Sequence, residues 1–168
     1  MRTALAVLLG FVAIGAVVAQ STAAHPNGGN DVLRFRSMAG VVEPFTGDAH
    51  RVRGLAGGGL PWELDRARGR LRSDGRLDIK VDGLVLARRA PVPENLRGTN
   101  PIDHFRAAVS CLTPAAPDQG ETLLTDPVPA SPGGDARFRT RVALPATCVA
   151  PVVFVTSPTG AWFAATGR

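Results

Sequence analysis

The chain has 168 residues, of which 45% are hydrophobic and 20% charged, with a formal net charge of +5. That balance is globular and excludes a disordered polyelectrolyte. With 19 Gly and 14 Pro the chain is rich in turns, which favours many short strands over long helices.

At the N-terminus, Arg2 precedes an uncharged apolar run, "ALAVLLGFVAIGAVVA", and small residues follow up to Ala24. This pattern predicts a secretory signal peptide over residues 1–24, cleaved after about residue 19–24. An uncleaved anchor fits less well, because the run is shorter than the about 20 residues of a membrane span. No second apolar run approaches that length, so no stable membrane insertion is expected after cleavage. What remains is about 145 residues, the usual size of one domain.

Residues 25–30, "HPNGGN", read as a disordered polar tail, and residues 31–168 as the folded domain. "VLRFRSMAGVVE" alternates as one strand ending before Pro44, and "AHRVRGLA" (residues 49–56) is a second candidate. Three glycines follow, Gly57 to Gly59. A phosphate cradle needs Gly-rich backbone opening a helix, and here Leu60-Pro61-Trp62 follows instead. A turn, bulge or close backbone crossing is the better account.

The clearest signal is "RLRSDGRLDIKVDGLVLA". Asp74-Gly75 sits between alternating segments, with Leu77, Ile79 and Val81 set against Arg76, Asp78, Lys80 and Asp82. This predicts a β-hairpin, with Gly83 marking a bulge. "PWELDRARGRLR" is the only helix-like rival, weakened by Gly69 and the lack of an apolar stripe. Beyond a proline-rich connection, "HFRAAVSCLT" alternates with Phe105, Ala107, Val109 and Cys111 inward and Arg106 and Ser110 outward. "PAAPDQG" reads as a loop and "ETLLTDPVPA" as a weak strand. "ARFRTRVAL" puts Phe138, Thr140, Val142 and Leu144 on one face and Arg137, Arg139 and Arg141 on the other. "CVAPVVFVTS" is a central strand and "AWFAATG" the last one.

These elements predict an all-β fold: a single antiparallel β-sandwich, immunoglobulin-like in general architecture, with seven to nine short strands. The two cysteines, Cys111 and Cys148, form one disulfide most simply in an oxidising compartment. Parity carries Cys111 to the core face, where a bridge between sheets needs it.

Candidate chemistry is sparse. His50 with Asp48, and His104 with Asp103, show no metal-ligand spacing, and neighbours on a strand point to opposite faces. Ser110 and Ser157 lie outside any nucleophile motif. Glu43, Glu63, Glu94 and Glu121 are the only glutamates, and no cofactor motif occurs. For binding, Trp62 is a candidate sugar platform near a Gly-rich corner, while Trp162 sits in an apolar strand and reads as core. Arg137, Arg139 and Arg141 form the neatest basic stripe. The remaining arginines are dispersed along the chain, so no nucleic-acid partner is expected, and the charge reads mainly as codon bias.

The blocks "GGGLPWELD", "LDIKVDGLVLA", "GTNPIDHFRAAVSC" and "APVVFVTSPTGAWFAATG" resemble those of a family of uncharacterised exported bacterial proteins. The resemblance covers nearly all of the chain after the leader. It implies one small exported domain with the two-cysteine arrangement, and it brings no activity or site residue with it. The expected role is a non-catalytic extracellular or cell-envelope domain that binds or serves structurally. One alternative is a polysaccharide or anionic-polymer binding module, with a cell-wall polymer as partner, using Trp62, Arg137, Arg139 and Arg141. Another is a hydrolase whose carboxylates meet only in the fold.

Overall fold

The computed structural model describes residues 29–167, so the expected leader and His25 lie outside the described residues. The first strands are β1 (Asp31–Phe35), β2 (Ala39–Gly40), β3 (Trp62–Glu63), β4 (Arg66–Arg72), β5 (Arg76–Asp82) and β6 (Val85–Leu86). A single 3-10 turn, Glu94–Leu96, interrupts the long connection that follows. Then come β7 (His104–Thr113), β8 (Ala116–Leu124), β9 (Val128–Pro129), β10 (Ala136–Arg141), β11 (Val149–Thr156) and β12 (Trp162–Ala165).

Two antiparallel sheets pack face to face as an all-β sandwich. The first has the order β1-β4-β5-β10, and the second β2-β12-β11-β7-β8, with β9 also paired to β7. β3 and β6 form a separate two-stranded ladder. Four of the twelve strands among the described residues have only two residues.

The β4–β5 hairpin forms where the Asp-Gly signal places it. Leu71 pairs with Leu77 across a short loop whose Gly75 adopts φ +81°, and the Gly75 N–H donates to the Arg72 carbonyl at 2.9 Å. Side chains alternate along a strand, so this register turns Ala67, Leu71, Leu77, Ile79 and Val81 inward, all buried. From the second sheet Phe105, Val109, Val153 and Phe163 meet them.

Several expected elements differ. Residues 49–56 form no strand: Arg53 and Gly54 both take positive φ (53° and 76°), and the chain reverses between Val52 and Leu55 after a single bridge. The expected strand over residues 32–43 is two, since β1 joins the first sheet and β2 the second. "PAAPDQG" is not a loop, because β8 runs through it along β7, with Cys111 opposite Glu121 and Thr113 opposite Ala116. Gly120 at φ +78° absorbs the irregularity, and Pro117 is tolerated because β8 is an edge strand. At the other end, Asn30 is no part of a free tail, since its carbonyl accepts the Ser73 N–H at 2.8 Å.

The Cys111–Cys148 disulfide is present, with Cα atoms 4.8 Å apart. It does not bridge the two sheets. Cys148 immediately precedes β11, which is paired to β7, so the bond ties neighbouring strands of the second sheet. It closes a separation of 37 residues, worth about 4 kcal/mol on the chain-entropy account.

The centre of the second sheet is buried on both faces. Ala108, Ser110, Phe154 and Thr156 have the parity of its outer face, yet all are 0% exposed. The irregular segment before β3 packs along this sheet. The Arg53 guanidinium donates to the Ala150 carbonyl, and Gly57 bridges to Trp162. The three glycines are therefore a close backbone crossing: the Gly58 N–H donates to the Trp162 carbonyl, and a Cβ on Gly57 would overlap the Phe45 carbonyl oxygen. Gly59 has open space around it. Gly57→Ala should then cost about 2 kcal/mol or more, and Gly59→Ala no more than about 0.5 kcal/mol, in urea unfolding. Equal effects of the two substitutions would refute the crossing.

Candidate functional site

The outer face of the first sheet is built by alternation. In "RARGRLR" of β4 the outward positions are Arg66, Arg68, Arg70 and Arg72, and in "RLDIKVD" of β5 they are Arg76, Asp78, Lys80 and Asp82. β10 contributes Arg137, Arg139 and Arg141, and β1 contributes Arg34, with Arg36 just beyond its end. More than half of the chain's 19 lysines and arginines are on this face. None of the outward positions on these four strands is aromatic.

Strand pairing sets these charges in rows across the sheet. Arg68 lies opposite Lys80 and Lys80 opposite Arg137, while Arg36 continues beside Arg68. This row holds four cations without an acid and spans about 14 Å at a strand spacing of about 4.8 Å. The adjacent row, about 7 Å away along the strands, runs Arg34, Arg70, Asp78, Arg139. Beyond it lie Arg72, Arg76 and Arg141. On the opposite flank Arg66 faces Asp82, which ends the basic region.

Acids neutralise only part of it. Asp31 binds Arg34 at 2.6 Å and lies 3.9 Å from Arg72. Asp78 is 3.5 Å from Arg70, Asp82 is 2.6 Å from Lys80, and Asp74 is 3.3 Å from Arg141. Arg36, Arg68, Arg76, Arg137 and Arg139 have no ion pair among the described residues. The hydrogen bond from Arg34 holds the Asp31 carboxyl below its ordinary range, and the Arg76 N–H, helped by the Arg141 charge, does the same for Asp74. With folded values depressed, any stability these two acids lend is present at neutral pH. It is lost only as pH falls through their lowered values. Both counter-charges therefore stay on the face at neutral pH.

Over the centre of the face lies a shallow groove of about 280 Å³, lined by Arg36, Arg68, Asp78, Lys80 and Arg137 among others. Ligand pockets that enclose a small molecule hold about 300–1,000 Å³. This one is small and open, and its charges continue past its rim.

The stripe Arg137, Arg139 and Arg141 is thus one edge of a larger basic surface. The dispersal of arginines along the chain is not dispersal in space, and that expectation is corrected. Trp62 is corrected too. It is 4% exposed, and its ring stacks on Phe163 with centroids 4.0 Å apart, so it offers no sugar platform. Trp162 is buried beside Phe154.

Among the other candidates, Ser110 points away from the inter-sheet core but is fully buried, with Gly120 against its hydroxyl. The Ser157 hydroxyl accepts the Ala161 N–H and shapes a turn. His104 Nδ1 does meet Asp103, at 3.2 Å, because Asp103 lies before β7 where strand alternation does not hold. His50 is exposed against the Phe45 ring. Among the described residues no group of three or more His, Cys, Asp or Glu side chains could hold a metal.

Arg34, Arg36, Arg68, Arg70 and Lys80 were not singled out from the sequence. The signal was present in the hairpin, whose register follows from Asp74-Gly75 and whose outward positions are then nearly all cationic. No family model, no curated protein and no solved structure matches this chain.

Like charges directly opposite each other on a sheet are destabilising by about 0.2–1 kcal/mol. Arg68→Thr should therefore raise stability by about that much at low salt. The gain should vanish near 1 M salt, where screening acts over about 3 Å. A loss of stability at low salt would show that the row is not under repulsion.

Proposed function

We propose that this protein is an exported, non-catalytic domain that holds a polyanion on the outer face of the β1-β4-β5-β10 sheet. The observation that carries the reading is the cross-strand row Arg68, Lys80 and Arg137, with Arg36 lining the same groove just beyond the end of β1. A fold does not need such a row for its core, and the row works against the stability of its own sheet. An oxyanion laid across it would turn that repulsion into attraction. Arginine suits this task, because its planar fork meets carboxylate, phosphate or sulfate with two parallel hydrogen bonds.

Repetition of the charges favours a polymer over a small ligand. The rows extend in two directions beyond an open groove, so a chain with regularly spaced acid groups gains from each added contact. Export is supported by the leader-like residues 1–24, and the disulfide is compatible with an oxidising compartment. Among the described residues of the basic face no side chain pairs a hydroxyl or thiol nucleophile with a base, which favours binding over hydrolysis.

Retention of the purified protein on insoluble cell-wall polymers and on a sulfated resin, followed across salt, tests the reading. Raising salt from about 0.05 to 0.2 M should weaken binding by about a hundredfold or more if four or more anionic groups are engaged. Charge reversal with Lys80→Glu and Arg137→Glu together should abolish retention at the lower salt while the unfolding transition stays cooperative. Retention indifferent to both salt and charge reversal would overturn it.

A further inference from the structure

We infer that the polyanion is an acidic polysaccharide, with its acid groups along the Arg36–Arg137 row and a sugar hydroxyl donating to Asp78. This deepens the proposed function and rests on it. The observation behind it is that one of the two central positions of the neighbouring row is a carboxylate. Asp78 stands between Arg70 and Arg139, in a groove whose other charged lining residues are all cations, and its side chain is 35% exposed. For a ligand made only of anionic groups, that carboxylate is a repulsive defect at the centre of the site. For a ligand that alternates acid groups with hydroxyls, it is a partner.

The hydrogen-bond inventory favours the second case. A carboxylate offers about four acceptor positions. Asp78 uses Oδ2 toward Arg70 Nε at 3.5 Å, and Oδ1 has no partner among the described residues. Acceptor capacity therefore faces the groove unspent. Lys80 and Asp78 are two residues apart on one face of β5, about 7 Å. That separation is comparable to the width of a sugar ring with its substituents, so one sugar unit could set its acid group on the row and a hydroxyl on Asp78.

Other polyanions match less of this chemistry. Inorganic polyphosphate has no donor at neutral pH to offer Asp78. The backbone of duplex DNA likewise presents phosphates without hydroxyls. Proteins that hold single-stranded nucleic acid stack bases on aromatic rings, and the outward positions of this sheet carry none.

The test uses the purified protein, Asp78→Ala and Asp78→Asn, with three probes: an oligomeric polyuronate, linear polyphosphate of matched charge, and duplex DNA. Wild-type protein should prefer the polyuronate. Asp78→Ala should weaken polyuronate binding about tenfold and strengthen binding to polyphosphate and DNA. Asp78→Asn, which keeps an acceptor, should hold the polyuronate within about threefold. Opposite signs for two ligands cannot come from a general loss of structure. If Asp78→Ala strengthens binding to all three probes, or if the wild type prefers polyphosphate or DNA, the polysaccharide inference is overturned while polyanion binding stands. If the wild type binds none of them, the polyanion reading itself fails.

Discussion

The register between β4 and β5 is the constraint on which both the core and the basic face depend. Strand side chains have a period of two, so one alignment decides both sides of the hairpin at once. Setting Leu71 opposite Leu77 and Ala67 opposite Val81 inside obliges Arg70 to face Asp78 and Arg68 to face Lys80 outside. A slip of one residue would bury the charges and expose the leucines. The burial of Leu71, Leu77 and Val81, each 0% exposed, therefore holds the outer cations in their rows as firmly as it holds the sandwich together. β10 extends the same logic, because Phe138 inside requires Arg137 and Arg139 outside.

The two sheets have different outer surroundings. The second is covered over the centre of its outer side, where Phe154, Ala108 and Ser110 lose all contact with solvent, and the disulfide fastens its central strands. The irregular chain before β3 contributes to that cover through Arg53 and Gly57. Among the described residues the first sheet receives no such cover on its outer side. This division follows from the side chains. Phe154 and Val152 on the outer side of β11 need a lid, while arginines at the corresponding positions of β4 and β10 need water or an oxyanion.

Much of this is legible in the sequence, and the rest is hidden for separate physical reasons. The hairpin, the inward positions of β5, the central strand β11 and the cysteine pair follow from local patterns. β8 did not, because "APDQG" carries no strand propensity and is drawn into the sheet only by pairing with β7. Residues 49–56 failed in the opposite sense: their pattern alternates, but Arg53 and Gly54 turn the chain back at positive φ. Trp62 beside a Gly-rich corner suggested exposure. Gly58, against the Trp62 indole and the Phe163 ring, instead makes room for their stacking. The basic face was missed for a topological reason. Arg68 and Lys80 belong to one hairpin, but Arg36 and Arg137 are far from it along the chain, and only the order β1-β4-β5-β10 places them beside it.

The mounting of those cations bears on how they could act. Arginines on loops would lose both backbone and side-chain freedom on meeting a ligand, whereas a strand has already lost the backbone part when the sheet forms. The cost of holding like charges near one another is likewise met in folding, by burial on the other side of the same strands. Several arginines with no acid partner among the described residues are then left pointing into solvent from a rigid base, and only their side chains remain to be ordered. Acids are placed mostly at the margins, Asp31 and Asp74 toward the hairpin end and Asp82 beside Arg66, so they bound the basic region without dividing it. Asp78 alone breaks that rule from the middle of the sheet, and a central exception in an otherwise ordered charge pattern carries more chemical information than any of the arginines around it.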